Sequence, residues 1–307
     1  MTLIAAFRCG PYAVLCADSQ ETWGVYKVSV DKIVPQTVGL YDLAYAGSGL
    51  GDFVDGLGDA IEAGLARSRA TEERAIQHEL QTILASFYSS DHVKSYPVDW
   101  NDANTAVSGV ICIRVIRTSK VLLFRFSRTI VLPVKDFVLK GIEEPIYQHI
   151  VKRLYRPGLN LLQAEMLGLH LLTEAGSTSN QIGGLTRVVW AMDHGMWALE
   201  HEEALKLEAE GIADVQRAMD DLFIACADVR TVSDATLKSR LRDFGRTIRA
   251  LRKDRGMRIY RAYSAHLKKF GHPLMKPSVA RKLGYPVHPL ALQRTKRGRK
   301  VRPPSQE

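Results

Sequence analysis

The apolar positions of this chain follow two rhythms. Near the start, "TLIAAFR" and "YAVLCAD" are short apolar runs on either side of Gly10-Pro11, and they predict strands at 2–8 and 12–18 joined by a tight turn. The runs at 28–34 (VSVDKIV) and 38–46 (VGLYDLAYA) predict two more strands. The rhythm then changes. Leu50, Phe53, Val54, Leu57, Ile61 and Leu65 recur at helical spacing, and Ile76, Leu80, Ile83, Leu84 and Phe87 repeat it over 71–88. The turn-rich stretch 89–104 reads as a loop. Strands are expected again at 105–117, 120–126 and 129–134, then helices at 143–154 and 159–175. The stretch 185–199 reads as a hairpin turning at Asp193-His194-Gly195.

The order is strands, two helices, strands, two helices, strands. A doubly wound sheet would alternate strand and helix throughout, so this order points instead to two stacked sheets with helix pairs on their outer faces. After residue 205 only the helical rhythm remains. Ile212, Val215, Met219, Leu222 and Cys226 form one stripe. Ser233 is placed to cap a second helix carrying Leu237, Leu241, Phe244, Ile248 and Leu251, which Gly256 ends or interrupts, with more helix at 257–270. The expected division is 1–207 as the mixed α+β body, 208–287 as a helical basic extension, and 288–307 as a disordered basic tail.

Charge sharpens that division. The net charge of +9 conceals 21 Lys and Arg against 3 Asp and Glu from Lys238 onward, and 21 against 30 before it. An acidic body thus carries a basic segment, and residues 238–302 are the candidate contact for nucleic acid or an acidic partner. No run of about 18 apolar residues is present and no secretory signal is visible, so a cytoplasmic protein without a membrane span is expected. Cys9, Cys16, Cys112 and Cys226 form no CxxC pair and read as reduced thiols. No HExxH motif occurs, and no metal or cofactor is expected. Gly47, Gly49 and Gly51 lack the dinucleotide-binding spacing, and Ser48 lacks the context of a nucleophile elbow.

The first hairpin carries the candidate chemistry. With a turn at Cys9-Gly10-Pro11 and Arg8 facing Tyr12, Thr2 faces Asp18. Removal of Met1 would leave Thr2 with a free α-amine beside its hydroxyl. Such an amine titrates near ~7.7–8.0, so its neutral form can accept the hydroxyl proton and make a nucleophile.

Together, Thr2 with "AAFR", "AVLCADSQETWG" at 13–24, "DKIV" at 31–34, "LAYAGSGLGD" at 43–52 and "IGGLTRVVWAMDHGMWALE" at 182–200 resemble the proteasome β subunits and the related peptidase of the bacterial ATP-dependent protease. These are N-terminal-nucleophile (Ntn) hydrolases, and the likeness is to the divergent bacterial proteasome homologue type. It spans roughly residues 2–205 and implies a four-layer αββα sandwich. It implies Thr2 as nucleophile, Asp18 and a strand-borne Lys32 beside it, and the Gly47 amide as oxyanion donor, with Lys27 the weaker competitor of Lys32. It further implies that Thr22, Gly47 and Gly49 pair with an extended peptide or protein substrate through their backbones, and that Glu21 and Tyr45 line the pocket for the residue before the scissile bond. A homo-oligomeric ring and a partner ATPase unfoldase complete the implication. The sequence departs from that pattern at Leu139-Lys140-Gly141 and at Ser179-Asn180-Gln181-Ile182-Gly183-Gly184, where the Asp that supports the amine is replaced. The departure favours a rival expectation, a catalytically silent binding protein that uses the basic extension.

Overall fold

The computed structural model describes residues 2–23, 26–90, 106–142, 144–199, 202–227 and 232–269. Most of the loop expected at 89–104, and the whole tail 288–307, lie outside the described residues. The chain divides into two compact units, Met1–Glu202 and Glu203–Glu307.

The first unit is mixed α+β. Its strands are β1 (Leu3–Cys9), β2 (Tyr12–Ala17), β3 (Gln20–Trp23), β4 (Tyr26–Ser29), β5 (Val34–Val38), β6 (Tyr41–Ser48), β7 (Ser108–Val115), β8 (Lys120–Ser127), β9 (Ile130–Pro133), β10 (Phe137–Gly141), β11 (Arg187–Met192) and β12 (Gly195–Ala198). Its helices are α1 (Gly51–Arg67), α2 (Glu73–Ser89), α3 (Glu144–Leu154) and α4 (Leu161–Thr178). The strands make three antiparallel sheets, in the orders β10-β1-β2-β11-β12, β5-β6-β7-β8-β9 and the ribbon β3-β4.

Alternation along the strands explains the packing of the two large sheets. Ile4, Ala6, Ala13, Leu15, Ala17, Val189 and Ala191 face one way from the first sheet and meet Ala44, Ala46, Val110, Cys112, Val121 and Leu123 of the second in one buried core. The other face of the second sheet offers Tyr41, Leu43, Ile111, Ile113, Leu122 and Phe124 to the stripes of α1 and α2. Phe53, Leu57, Ile61 and Leu65 of α1 are 0% exposed, as their spacing demands. On the first sheet, α4 lies against β1 and β2. A capping box opens α4, with the Asn160 side chain accepting from Gln163 N–H and Gln163 accepting from Asn160 N–H.

The first hairpin has a two-residue loop rather than the expected three-residue turn. Cys9 pairs with Tyr12 and Ile4 with Ala17, so Leu3, not Thr2, stands opposite Asp18. The cause is local. Gly10 takes φ +62 and Pro11 must keep φ negative, which is the type II′ pattern that matches strand twist. A second correction concerns 28–34. That run is broken: β4 ends at Ser29, β5 starts at Val34, and Lys32 sits in the bend between them, not on a strand. Adjacent side chains there reach different partners, Asp31 to Arg187 at 2.5 Å and Lys32 to Asp18 at 3.1 Å.

β10 pairs with β1 up to Leu3–Gly141. Gly141 holds φ +115, and a Cβ built there would fall 1.8 Å from the Thr2 carbonyl oxygen. That oxygen accepts the Ile142 N–H at 3.0 Å. Gly141→Ala is therefore expected to cost about 3 kcal/mol, because strain and overlap with rigid backbone add. Gly10→Ala meets nothing within 4 Å, and should cost about 1 kcal/mol from its positive φ alone. Urea unfolding midpoints of the two variants check this order.

The second unit contains α5 (Glu202–Ala227) and α6 (Asp234–Lys269). They run antiparallel, with Arg255 of α6 on Glu208 of α5 and Arg240 Nη1 donating to the Asp221 carbonyl at 3.0 Å. Gly256 does not end α6, which continues through it to Lys269. Among the described residues no helix is long and apolar enough to cross a membrane.

Candidate active site

Asp18 stands where β2 ends, beside the start of β1, and is 2% exposed. Its Oδ1 accepts the Leu3 N–H at 2.9 Å, the amide of the peptide bond that follows Thr2. Its Oδ2 receives the Lys32 ammonium at 3.1 Å and the Gly183 N–H at 3.5 Å. Lys32 Nζ also donates to the Gln20 carbonyl at 2.5 Å. Thr2 itself is buried. One carboxylate therefore ties together the start of β1, the bend before β5 and the segment leading to β11.

Burial sets the electrostatics of the pair. It pushes the Asp18 carboxyl up from the ordinary carboxylate range, against the Lys32 charge and the Leu3 and Gly183 N–H donors. It pushes the Lys32 ammonium down from its ordinary value, against the Asp18 charge. Each ion would be costly alone at this depth, and each is kept charged by the other and by its hydrogen bonds. Lys27, weighed beside Lys32 from the sequence, is exposed and donates to the Asn180 carbonyl at 2.8 Å.

The other residues singled out from the sequence lie on two neighbouring elements. On the β5 side the ladder of β6 ends at the pair Val34–Tyr45, so β6 runs on through Ala46, Gly47 and Ser48 with no strand on that edge among the described residues. Tyr45 stacks on Phe126 at 5.8 Å and its hydroxyl donates to the Val54 carbonyl at 3.0 Å. It lies close under Gly47, where a Cβ would come within 2.5 Å of its hydroxyl oxygen. Gly49 passes the Ala106 carbonyl, with 3.0 Å left for a Cβ. On the ribbon, Glu21 pairs with Val28 and Thr22 with Lys27. The Glu21 carboxylate lies against Gly51, the first residue of α1.

Several supporting groups escaped the sequence reading. Ser19 is 0% exposed. Its hydroxyl oxygen accepts the Leu185 N–H at 2.7 Å and the Ser29 hydroxyl at 3.1 Å. The 179–184 segment joins this network: the Asn180 carbonyl accepts from Gln20 and Lys27, and the Ser179 hydroxyl accepts from Gln181 N–H. The hints in the sequence were the polar pair Asp18-Ser19 ending an apolar run and the departure already noted at Ser179-Asn180-Gln181-Ile182-Gly183-Gly184. Thiol chemistry has little support in this unit, because burial raises the Cys9 and Cys112 thiols to about 12 and raises Cys16 as well. Among the described residues no group of three or more His, Cys, Asp or Glu could hold a metal ion.

No protein-family model matches the chain, and no curated protein matches it. Solved structures do. An Anbu (Gly-1) mutant from Hyphomicrobium sp. strain MC1 superposes with TM-score 0.58 at 15% identity, covering 72% of this chain and 98% of that one. Anbu (ancestral beta-subunit) from Yersinia bercovieri gives 0.58 at 12%, over 71% and 97%. A further Anbu structure from Hyphomicrobium sp. strain MC1 gives 0.56 at 14%, over 71% and 97%. The likeness is one of fold. The first unit shares the Anbu architecture. This corrects the resemblance drawn from the sequence: the solved structures named here are Anbu proteins, and 12–15% identity carries architecture rather than membership of the proteasome β subunits or of the bacterial ATP-dependent peptidase. The stretches that carry the resemblance are 4 to 19 residues long, too short to fix a family at such a distance.

Proposed function

We propose that the chain is an Ntn threonine hydrolase that cleaves amide bonds of peptide or protein substrates, with Thr2 as nucleophile once Met1 is removed. The observation that carries this reading is the buried Asp18, which holds both Lys32 Nζ and the amide next to Thr2. Chemically, the freed Thr2 amine takes the hydroxyl proton as Oγ1 attacks the scissile carbonyl. Lys32 stabilises the developing negative charge, and the Gly47 N–H donates to the carbonyl oxygen as it becomes an oxyanion, a type of contact worth about 10²–10³ in turnover. The amine of the leaving group receives the proton, and an ester to Thr2 remains. Water then cleaves the ester; an acceptor amine in place of water would make the reaction a transfer.

The free edge of β6 at Gly47, with Gly49 beyond it and Thr22 on the ribbon, is the proposed track for an extended substrate, and Glu21 and Tyr45 the proposed lining of its side-chain pocket. The same reading takes the body 1–207 as a four-layer αββα sandwich in a cytoplasmic homo-oligomeric ring served by an ATPase unfoldase, with 208–287 as the basic helical extension and 288–307 as its tail. A catalytically silent binding protein is the second reading. It is favoured by the 179–184 segment, whose polar contacts with Gln20, Lys27 and Asp18 would serve equally as a structural strut.

Intact-mass measurement of the purified chain separates the two. The hydrolase requires a mass lacking Met1 and a covalent adduct with a β-lactone or epoxyketone that maps to Thr2. A chain that keeps Met1, or an adduct that forms equally on Thr2→Ala, overturns the mechanism.

A further inference from the structure

The second unit carries a surface that the hydrolase reading does not use. At about 100° per residue, Lys238, Arg242, Arg246, Arg249, Arg252 and Lys253 of α6 fall within one arc of about 120°. All six are exposed. Between 238 and 253 the same arc contains only one other residue, Gly245. The stripe runs for about 22 Å along the helix. The remaining arginines of this stretch lie elsewhere and are engaged with α5: Arg255 is half-buried against Glu208, and Arg240 donates to the Asp221 carbonyl. The acids Asp243 and Asp254 also lie outside the arc, and Asp243 holds Arg246. The apolar stripe of Leu237, Phe244 and Leu251 lies on a different side of the helix, where Leu251 meets Gly211 of α5.

We propose that this stripe is a nucleic-acid surface that binds the phosphate backbone without reading sequence. Three features favour a phosphate chain over other acidic partners. The charge is of one sign along several turns, which suits a polymer with a regular charge repeat. The arc has no apolar or aromatic anchor, whereas a protein partner would need one for a hot spot and a membrane surface would need one to insert. Four of the six cations are Arg, whose planar donors match phosphate oxygens in pairs.

The test uses the full chain and fluorescence anisotropy with a labelled DNA duplex and a labelled single-stranded RNA. Polyglutamate and phosphatidylserine vesicles serve as comparison ligands. With five or so phosphates neutralised, the plot of log K against log salt for the duplex should fall with a slope of about −4 to −5. Arg242→Gln/Arg249→Gln/Lys253→Gln should weaken binding about tenfold or more near ~0.1 M salt and make the slope shallower by about 2–3. The charge-keeping variant Arg242→Lys/Arg249→Lys/Lys253→Arg should retain both. Arg67→Gln/Arg69→Gln/Arg74→Gln removes the same charge from the end of α1, the connection after it and the start of α2, and should leave binding unchanged. Stronger binding of the duplex or of the RNA identifies the form of nucleic acid, and either result supports the proposal. It is overturned if the first variant binds like the original chain, if the charge-keeping variant loses binding, or if the α1–α2 variant loses as much. Binding to polyglutamate or vesicles with none to either nucleic acid also overturns it. None of these readouts involves amide hydrolysis, so the hydrolase reading stands or falls separately.

Discussion

Thr2→Ala is expected to lower amide hydrolysis about a thousandfold or more while leaving the fold intact. The proposed mechanism makes Thr2 supply both nucleophile and base, so removing its hydroxyl leaves only substrate binding and oxyanion stabilisation. In hydrolases that lose their nucleophile, that remainder is a small residue of the original rate. The side chain belongs to neither of the large apolar cores, so the stability change should stay below about 1 kcal/mol. Thr2→Ser keeps the hydroxyl and the amine and should retain measurable turnover. Single-turnover cleavage of a fluorogenic peptide amide, with urea unfolding alongside, reads both quantities. Equal rates for the alanine variant and the original chain would remove Thr2 from the mechanism.

Asp18→Ala should destabilise the chain by about 3–5 kcal/mol, because it leaves the Lys32 ammonium buried without its counter-ion. The side chains are only 8% and 3% exposed for Lys32 and Asp18, so water cannot take over the role of the carboxylate without rearrangement. The same change orphans the Leu3 and Gly183 N–H groups. Burial raises Asp18 and lowers Lys32. The sign follows from linkage. A raised carboxyl adds stability below its unfolded value of about 3.9 and loses it as pH rises through the folded value. A lowered ammonium adds stability above about 10.4 and loses it as pH falls through the folded value. Near neutrality the ionised pair is thus held at a desolvation cost. Asp18→Ala/Lys32→Met should accordingly be less destabilised than Asp18→Ala alone, with a coupling of about 1–3 kcal/mol in a double-mutant cycle from urea midpoints. Simple additivity of the two single changes would mean that the pair is not coupled.

Elements whose signal is local were legible in advance. The stripes of α1 and α2, the runs of β1 and β2 and the turn at Asp193-His194 were each readable because neighbours in sequence share a face. The ribbon β3-β4 was not. Its β4 is exposed at every residue, so no apolar side marks it. β10 was missed for a different reason: it is five residues long and takes its place by pairing with β1, far away in the chain. The site divides in the same way. Asp18 was recognisable as the polar end of an apolar run, whereas Lys32 was assigned to a strand that is in fact a bend.

By itself, the sequence determined which faces are apolar, that the first unit is mixed α+β, and that helices follow it. Those properties depend on residue type and periodicity, which act over a few residues. The tertiary structure corrected the register of the first hairpin, which the local Gly10-Pro11 turn sets and which moves every expected pair by one. It alone decided that Lys32 rather than Lys27 reaches Asp18, and that Gly183 and Leu3 share the same carboxylate. These contacts join segments as much as 165 residues apart. Such meetings are set by how whole sheets stack and cross, a free energy summed over the entire core, and no local pattern of residues encodes them.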